Sequence, residues 1–297
     1  MSQKLMPTIT INTELCIKCG NCVPVCWPSV YIQETKDSTP APIKADACIS
    51  CGQCVAICPK DAIVHSEFPE GHVKPVVSEN IPSSEEVLEL LRTRRSIRFF
   101  RDKTVERQLI EGIIEAARFA PSAINLQTTE FIVIQDKKLQ EDITDAAGRF
   151  FEKSVAQLHN PLIRRLMSMI MRVPTRTLTE ELLPHIEYID TEIRKGKDLL
   201  LYNAPVLILF HAEKQPFSSA DINASLALQN AALMAHALGL GSLYSMGISQ
   251  ALERDKSVRQ LVKLPENHAV YGVLAIGYPG LEFKKWPERK TPKITWL

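Results

Sequence analysis

The spacing of apolar side chains predicts both helices and strands after residue 80. Ser83-Ser84-Glu85-Glu86 combines a serine cap with acidic residues, and apolar positions with helical spacing follow it. The same spacing marks residues 105–119, and the alanine-rich residues 221–238 predict a central helix. Short apolar runs at residues 131–135, 206–211 and 270–276 predict buried strands. Because helices and strands do not alternate regularly, the pattern favours an α+β fold.

The composition of the chain changes near residue 80. Residues 1–80 contain every cysteine and no arginine, and the first arginine is Arg92. Residues 69–82 carry three prolines and a glycine without a sustained period, so we interpret them as a linker. A length of 297 residues is typical of about two domains. We therefore expect one domain over residues 1–80 and a second over residues 81–297.

The eight cysteines form two copies of one spacing. In each copy, three cysteines occupy every third position and a fourth follows after three intervening residues. Such a triplet directs thiolates from one tight loop onto a single iron–sulfur cube. Disulfides are typical of small secreted domains and zinc favours paired C-x-x-C motifs, so both explain the pattern less well. We predict two [4Fe–4S] clusters, with the ligands Cys16, Cys19, Cys22, Cys26, Cys48, Cys51, Cys54 and Cys58.

The fourth cysteine of each copy is expected to bind the other cluster. The segment resembles two-cluster bacterial-type ferredoxins, in which the cysteine before a proline ligates the second cluster. Cys58 precedes Pro59, whereas Cys26 precedes Trp27, and this departure should matter little because ligation needs only the sulfur. The resulting sets are Cys16, Cys19 and Cys22 with Cys58, and Cys48, Cys51 and Cys54 with Cys26.

The charge and hydropathy of the chain restrict its partners. A net charge of +1 argues against a nucleic-acid or polybasic membrane partner. The longest apolar run falls short of the roughly 20 residues that cross a bilayer. The start, MSQKLMPTIT, has no apolar export signal, and the cysteines are interpreted as reduced thiolates. We therefore expect a cytoplasmic protein that binds neither nucleic acid nor membrane.

The densest polar signal of the second domain follows its first helix. Residues 94–98 contain three arginines and a serine, which can give forked donors and a hydroxyl to one phosphate. Standing alone, such a run is equally a solvated basic face. Asn125 and Gln127 lie two apart in a polar loop that enters a strand, so we expect both on one side, facing a polar heterocycle. The alternative is an ordinary turn with a satisfied asparagine.

Taken in order, these motifs resemble the nitroreductase family of FMN enzymes. R-R-S-x-R is followed by A-P-S-x-x-N-x-Q and then by Asn203-Ala204-Pro205-Val206 before a strand. A long helix ends in Gly-Leu-Gly-Ser, and Ile276-Gly277-Tyr278-Pro279 leads into a basic tail. The resemblance covers about residues 83–297, and the cysteine-rich segment before it resembles ferredoxin-fused members. It implies a mixed or antiparallel sheet flanked by helices, and a homodimer with FMN at the subunit interface.

The same resemblance implies which residues hold FMN. Asn125 is implied at the reactive edge of the flavin, and Thr128-Thr129 stands where family members often have Pro-Trp, so one pocket wall differs. The backbone of three residues would pass under the ring, and either Arg289 or Lys290 would close over the phosphate. The full set is Arg94, Arg95, Ser96 and Arg98 at the phosphate and ribityl chain, Pro121, Ser122, Ala123, Asn125 and Gln127 at the isoalloxazine, and Ser245, Met246 and Gly247 under the ring.

A flavin together with iron–sulfur clusters predicts an oxidoreductase, and we assign no catalytic acid or base. In the first hypothesis, reduced ferredoxin or another low-potential donor charges the clusters, which reduce FMN. FMN then reduces a nitroaromatic, nitroimidazole, quinone or enone. In the second, NAD(P)H is the donor and the clusters store or export electrons. In the third, the chain is an electron-transfer or redox-sensing module without independent turnover.

Two other patterns in the second domain carry less chemistry. Gly239-x-Gly241-x-x-Tyr244 follows a helix and has a bulky third position, so it does not predict a Rossmann dinucleotide site. The seven histidines show no ligand spacing and are interpreted as surface or satisfied core residues. Residues 139–200 are assigned no fold.

Overall fold

The computed structural model describes residues 6–215 and 219–297, which divide into two units. The first unit extends to Pro82 and also includes Ala123–Leu126. The second consists of Ser83–Ser122 and Gln127–Leu297. Among the described residues, none of the helices combines the length and the apolar character that spanning a bilayer requires.

Short antiparallel strand pairs frame the first unit. Its elements are β1 (Ile9–Ile11), β2 (Tyr31–Ile32), β3 (Ala41–Pro42), the helix α1 (Gln53–Ile57), β4 (Ile63–His65) and single 3₁₀ turns at Ala45–Ala47 and Ser78–Asn80. β1 pairs with β4, and β2 pairs with β3. The core contains Val30, which is fully buried, together with cysteine side chains. The packing of this unit therefore depends on what the cysteines hold.

The backbone repeats between the two cysteine motifs. Lys18 and Ser50, each placed before the second cysteine of its motif, have φ values of 61° and 51°. Gly20 and Gly52, each placed after that cysteine, have φ values of 75° and 74°. Left-handed backbone at matching positions lets both loops curl so that successive cysteines point inward. The repeat in sequence is thus a repeat in conformation.

The second unit contains one sheet and its flanking helices. Its first helix is α2 (Ser84–Thr93), and Ser83 forms with Glu86 the capping box that its sequence predicts. The other elements are α3 (Arg107–Arg118), β5 (Glu130–Ile134), α4 (Lys137–His159), α5 (Pro161–Met171), a π-helical turn (Thr177–Leu182), α6 (Leu183–Arg194), β6 (Val206–Glu213), α7 (Ala220–Ala237), β7 (Gly241–Tyr244), α8 (Met246–Arg254), α9 (Lys256–Leu261) and β8 (His268–Gly277).

The sheet has the strand order β5-β6-β8-β7, and every neighbouring pair is antiparallel. One face packs against α3 and α7, where Ile208 and Phe210 of β6 are fully buried. The other face packs against α4, α8 and α9, where Leu209 of β6 is fully buried. The predicted α+β class, with an antiparallel sheet between helices, is confirmed. The helices α4, α5 and α6 occupy the segment that apolar spacing left unassigned.

Candidate functional site

The structure brings the eight cysteines together in two sets of four. One cavity is lined by cysteines from both motifs, and so is the other. All eight lie in the described part of the chain and none forms a disulfide. Four sulfur donors around one cavity are what an iron–sulfur cube requires. The two sets are Cys16, Cys19, Cys22 and Cys58, and Cys26, Cys48, Cys51 and Cys54.

Two of these cysteines, Cys22 and Cys54, are buried. Burial raises the pKa of the Cys22 thiol to about 11, and burial also raises the pKa of the Cys54 thiol. A thiolate at either position therefore needs a cation beside it, and iron is the cation that a four-cysteine set of this spacing takes.

Backbone amides donate to the cysteine sulfurs at equivalent places in the two motifs. Val30 N lies 3.4 Å from Cys26 Sγ, and Ala62 N lies 3.3 Å from Cys58 Sγ. Donors aimed at sulfur stabilise negative charge there and contribute to the reduction potential of a bound cluster.

His65 breaks the equivalence of the two sets. The Glu67 amide donates to His65 Nδ1 at 3.1 Å, which leaves the imidazole proton on Nε2. His65 Nε2 lies 3.5 Å from Cys48 Sγ and therefore donates to it. Burial lowers the pKa of His65, which favours this neutral form. At the corresponding place in the first motif stands Gln33, whose Nε2 donates to the carbonyls of Lys18 (3.0 Å) and Ser38 (2.8 Å).

Tyr31 lines the same cavity as Cys48. Its side chain is 4% exposed, and its buried hydroxyl interacts with the sulfur of Cys54. A donor beside a ligand sulfur stabilises negative charge there. The hydroxyl thus fits a cavity that holds an electron-rich group.

The second unit has a cleft of about 290 Å³ beyond the C-terminal end of α2. Ile97 lines this cleft and lies beside the sheet edge, where Ile97 N donates to Ser242 O at 3.0 Å. A Cβ at position 241 would lie 2.6 Å from Ile97 Cγ1, so glycine is required for this approach. The polar side chains that line the cleft are Thr93, Arg94, Arg95, His236, Ser242 and Glu282.

Arg95 lines this cleft and has one unsatisfied donor. Its Nη2 atom is buried and has no hydrogen-bond partner among the described residues. Arg94 lies beside it in the lining, and the Glu282 carboxylate is paired with Lys284 at 2.6 Å. Two guanidinium groups, one with an unsatisfied buried donor, suit an anionic group such as a phosphate.

His236 is held neutral at the edge of the cleft. Thr93 Oγ1 donates to Glu89 O at 2.7 Å, so the same oxygen accepts from His236 Nε2 at 2.9 Å. Burial and the nearby Arg94 both lower the pKa of His236. The imidazole therefore adds no positive charge, and the arginines supply the positive charge near it.

The predicted heterocycle loop has a different backbone from the expected one. Ala123–Asn125 form a 3₁₀ turn, and Asn125 and Gln127 have φ values of 55° and 49°. The backbone at these two residues is therefore left-handed, not the alternating strand backbone on which the same-side expectation for the two amides rests. Asn125 Nδ2 donates to Ile49 O at 3.3 Å and to Ser50 O at 2.7 Å. The Ser122 hydroxyl instead accepts from Gln127 N at 3.0 Å, and Pro121 is exposed.

The remaining predicted flavin residues lie in several places. The Ser245 hydroxyl is buried and donates to Leu200 O at 2.7 Å, while Met246 is exposed and begins α8. A Cβ on Gly247 would lie 2.6 Å from Leu200 Cδ2. Arg98 lies with its Cζ atom 5.9 Å from the centre of the Tyr202 ring, and Ser96 is exposed. Arg289 and Lys290 are exposed in a tail without regular secondary structure. Of the predicted set, only Arg94 and Arg95 line the cleft.

Several residues at these sites lie outside the motifs on which the sequence predictions rest. Tyr31 and His65 lie outside the cysteine spacing, and His236 lies near the end of an apolar helix. Thr128 Oγ1 is buried without a partner among the described residues. In the sequence, Thr128 is notable only because it differs from the residue that the family often has at this position. A comparison of the two motifs position by position would have found His65, because it stands opposite Gln33.

Comparisons with known proteins agree with this division of the chain. Residues 91–278 match the model of the nitroreductase family. Residues 8–59 match the model of the 4Fe-4S dicluster domain.

The relatives of the chain are distant, and each match covers about two thirds of it or slightly more. A protein of Archaeoglobus fulgidus named "Putative NADH dehydrogenase/NAD(P)H nitroreductase" is 29% identical over 66% of this chain and 86% of its own length. The FMN reductase [NAD(P)H] of Bacillus subtilis is 26% identical over 68% of this chain and 69% of its own length. The crystal structure of a Bacteroides fragilis nitroreductase with bound FMN has a TM-score of 0.56 and 24% identity, covering 71% of this chain and 98% of that one. This last likeness shows a shared fold.

Proposed function

Because the chain belongs to the nitroreductase family and carries an N-terminal 4Fe-4S dicluster domain, we propose that it is an FMN-dependent oxidoreductase supplied with electrons through iron–sulfur clusters. In this proposal electrons pass from a low-potential donor such as reduced ferredoxin, through two [4Fe–4S] clusters and FMN, to an electron-poor small molecule. Nitroaromatics, nitroimidazoles, quinones and enones are the candidate acceptors.

The observation that carries the flavin proposal is the unpartnered Nη2 atom of Arg95. A buried guanidinium donor without an acceptor costs stability unless a ligand satisfies it. A flavin mononucleotide brings a phosphate of the right charge, and Arg94 and Arg95 would hold it in the cleft. FMN, once bound, supplies two-electron chemistry, while the protein orients it and its substrate.

The wider flavin site stays a proposal. Thr128 joins it because its buried hydroxyl needs a partner. The residues that we propose to contact FMN besides Thr128 and the two cleft arginines are Ser96, Arg98, Pro121, Ser122, Ala123, Asn125, Gln127, Ser245, Met246, Gly247 and either Arg289 or Lys290.

The two cluster sites rest on the two four-cysteine cavities. We propose that Cys58 completes the site of Cys16, Cys19 and Cys22, and that Cys26 completes the site of the second motif. The amide and imidazole donors at sulfur, together with the Tyr31 hydroxyl, fit an electron-rich cluster.

The direct test of the relay removes both clusters from the flavin protein. In the double variant Cys16→Ser/Cys48→Ser, we expect FMN to remain bound and its reduction by reduced ferredoxin to be lost. Stopped-flow bleaching of the flavin, with iron and flavin quantified on the same sample, measures this. Reduction of the flavin at the wild-type rate in the double variant would show that the relay is wrong.

A second candidate donor is NAD(P)H, because two of the relatives carry NAD(P)H in their names. In this candidate the clusters store or export electrons instead of supplying them. Rapid bleaching of the flavin by NADH or NADPH in the wild type and in Cys16→Ser/Cys48→Ser alike would favour it.

We further propose a cytoplasmic homodimer. The helix α5 exposes apolar side chains, with Leu162 79%, Met169 67% and Ile170 72% exposed. Apolar surface of this kind is usually covered by another chain. Light scattering after size-exclusion chromatography should give a dimer mass, and a flavin-loaded monomer would count against the proposal.

His65 predicts unequal reduction potentials for the two clusters. The N–H donor of His65 to Cys48 Sγ stabilises the reduced cluster, because that form is the more negative one. Replacing His65 with Leu removes this donor. A hydrogen bond worth about 0.5–1.5 kcal/mol corresponds to about 20–60 mV for a one-electron couple. We expect the potential of the cluster bound by Cys48 to fall by that amount in an EPR-monitored redox titration.

Gln33→Leu is the matched control for this change. Gln33 donates to carbonyl oxygens and to no sulfur, so its loss should leave both potentials in place. Equal shifts of both clusters in His65→Leu would mean that the variant perturbs the whole domain rather than one sulfur.

A further inference from the structure

Three side chains of the second unit meet at one end of the sheet, outside the cleft. Glu130 begins β5, His211 lies near the end of β6, and His268 begins β8. Glu130 stands opposite His211 in the β5–β6 ladder, so the two share a face of the sheet. The neighbouring pair in the β6–β8 ladder is Glu213 with His268.

A bulge in β6–β8 brings the two histidines together. Phe210 pairs with Gly272 but His211 pairs with Val270, so the register shifts between Phe210 and His211. His211 and His268 then lie diagonally across two strands on one face. Their Nδ1 atoms are 2.9 Å apart, and the ligand atoms of Glu130, His211 and His268 all lie within 4.8 Å of one another.

The site has a buried floor and an open mouth. His211 is 4% and His268 is 9% exposed, whereas Glu130 is exposed. It lies at the opposite end of β8 from Gly277, and a strand of ten residues spans about 30 Å. Gly277 is the end that packs against Phe100, whose near neighbour Ile97 lines the cleft. The cluster shares no residue with the lining of the cleft or with the linings of the two cysteine cavities.

We propose that Glu130, His211 and His268 form a binding site for a divalent borderline cation such as Zn²⁺. Two imidazole nitrogens and one carboxylate oxygen are ligands that such ions take from proteins. Three protein ligands leave one tetrahedral position for water. A zinc ion with Zn–N distances of about 2.0–2.1 Å sets its nitrogens about 3.3 Å apart, a few tenths of an ångström more than here.

The surroundings fix the histidine on β8. Arg259 Nη2 donates to His268 O at 2.9 Å and to Pro265 O at 3.2 Å. Asn267 Nδ2 donates to Glu213 Oε1 at 3.0 Å, so the neighbouring carboxylate has its own partner and Glu130 is the carboxylate left to the site. A bound ion would join β5, β6 and β8 at this end.

The experiment measures zinc bound to the full-length protein with its clusters and flavin in place. After incubation with Zn²⁺ and gel filtration, we expect about one zinc per chain with the iron content unchanged. Zinc X-ray absorption should show nitrogen and oxygen neighbours at about 2.0–2.1 Å. Sulfur neighbours at about 2.3 Å would show capture by the cysteines and overturn the proposal.

Variants separate a metal site from a plain hydrogen bond between two imidazoles. Glu130→Gln changes an exposed side chain and should fold, and we expect its zinc affinity to fall by at least about tenfold. His268→Gln should abolish binding. The control is His159→Gln, since His159 Nε2 lies 2.7 Å from Glu187 Oε1 as an exposed two-residue pair, and its zinc content should stay at the wild-type level.

The outcomes all decide the question. Loss of zinc in Glu130→Gln, with retention in His159→Gln, supports the site even where His268→Gln fails to fold. Absence of bound zinc in the wild type, or the same affinity in Glu130→Gln and the wild type, shows that the histidines form only a hydrogen-bonded pair.

Discussion

Replacing Cys58 with Ser is expected to remove about half of the iron and to spare the cluster of Cys48, Cys51 and Cys54. Cys58 is the fourth cysteine of the second motif in sequence, but it lines the cavity of Cys16, Cys19 and Cys22. Loss of one of four ligands empties that cavity, while the other set keeps all four of its sulfurs. Iron and sulfide analysis of anaerobically purified protein measures the change.

Double variants decide which motif Cys58 serves. Cys16→Ser/Cys58→Ser removes two ligands of one set, so its iron content should equal that of either single variant. Cys48→Ser/Cys58→Ser damages both sets and should leave almost no iron. If each motif instead supplied all four of its own ligands, the two results would be exchanged.

The control for these variants is the fold of the second unit, which contains no cysteine. Flavin content and the helical signal in circular dichroism should change little in Cys58→Ser. Loss of flavin together with iron would indicate general unfolding of the variant. The assignment of Cys58 to one of the two cysteine sets would then rest on those double variants that keep their flavin.

Elements with a local cause could be predicted from the sequence. The start of α2 follows from Ser83 and Glu86, which satisfy each other's backbone amides without any tertiary contact. The strand at β6 follows from a continuous apolar run, because both of its faces are buried. The two cysteine triplets follow from their spacing, whereas the exchange of the fourth cysteines is implied by the resemblance to two-cluster ferredoxins.

Features that depend on distant residues could not be predicted in this way. Asn125 takes a left-handed conformation and donates to Ser50 O, a partner 75 positions away in the chain. His211 and His268 are 57 positions apart and meet only because a bulge shifts the register between two strands. Sequence periodicity assumes regular pairing, so it treats such residues as ordinary core or turn positions.

Arg95→Ala is expected to weaken FMN binding by about ten- to a hundredfold. A hydrogen bond to a charged group contributes about 1.5–3 kcal/mol, and each 1.4 kcal/mol is a factor of ten in affinity. The buried Nη2 atom of Arg95 has no acceptor of its own among the described residues, so the phosphate would be its partner. Arg95→Lys keeps the charge but loses the planar fork, so it should recover only part of the affinity.

The specific signature is the preference for FMN over riboflavin, which lacks the phosphate. Titration of the apoflavoprotein with each ligand should show that Arg95→Ala reduces this preference by about ten- to a hundredfold and leaves riboflavin affinity close to that of the wild type. Arg92→Ala is the matched control, because Arg92 belongs to the same basic run but stacks on Trp286 at 5.0 Å. If Arg95→Ala weakened FMN and riboflavin equally, Arg95 would act on the shape of the cleft, and the phosphate would have to be bound elsewhere.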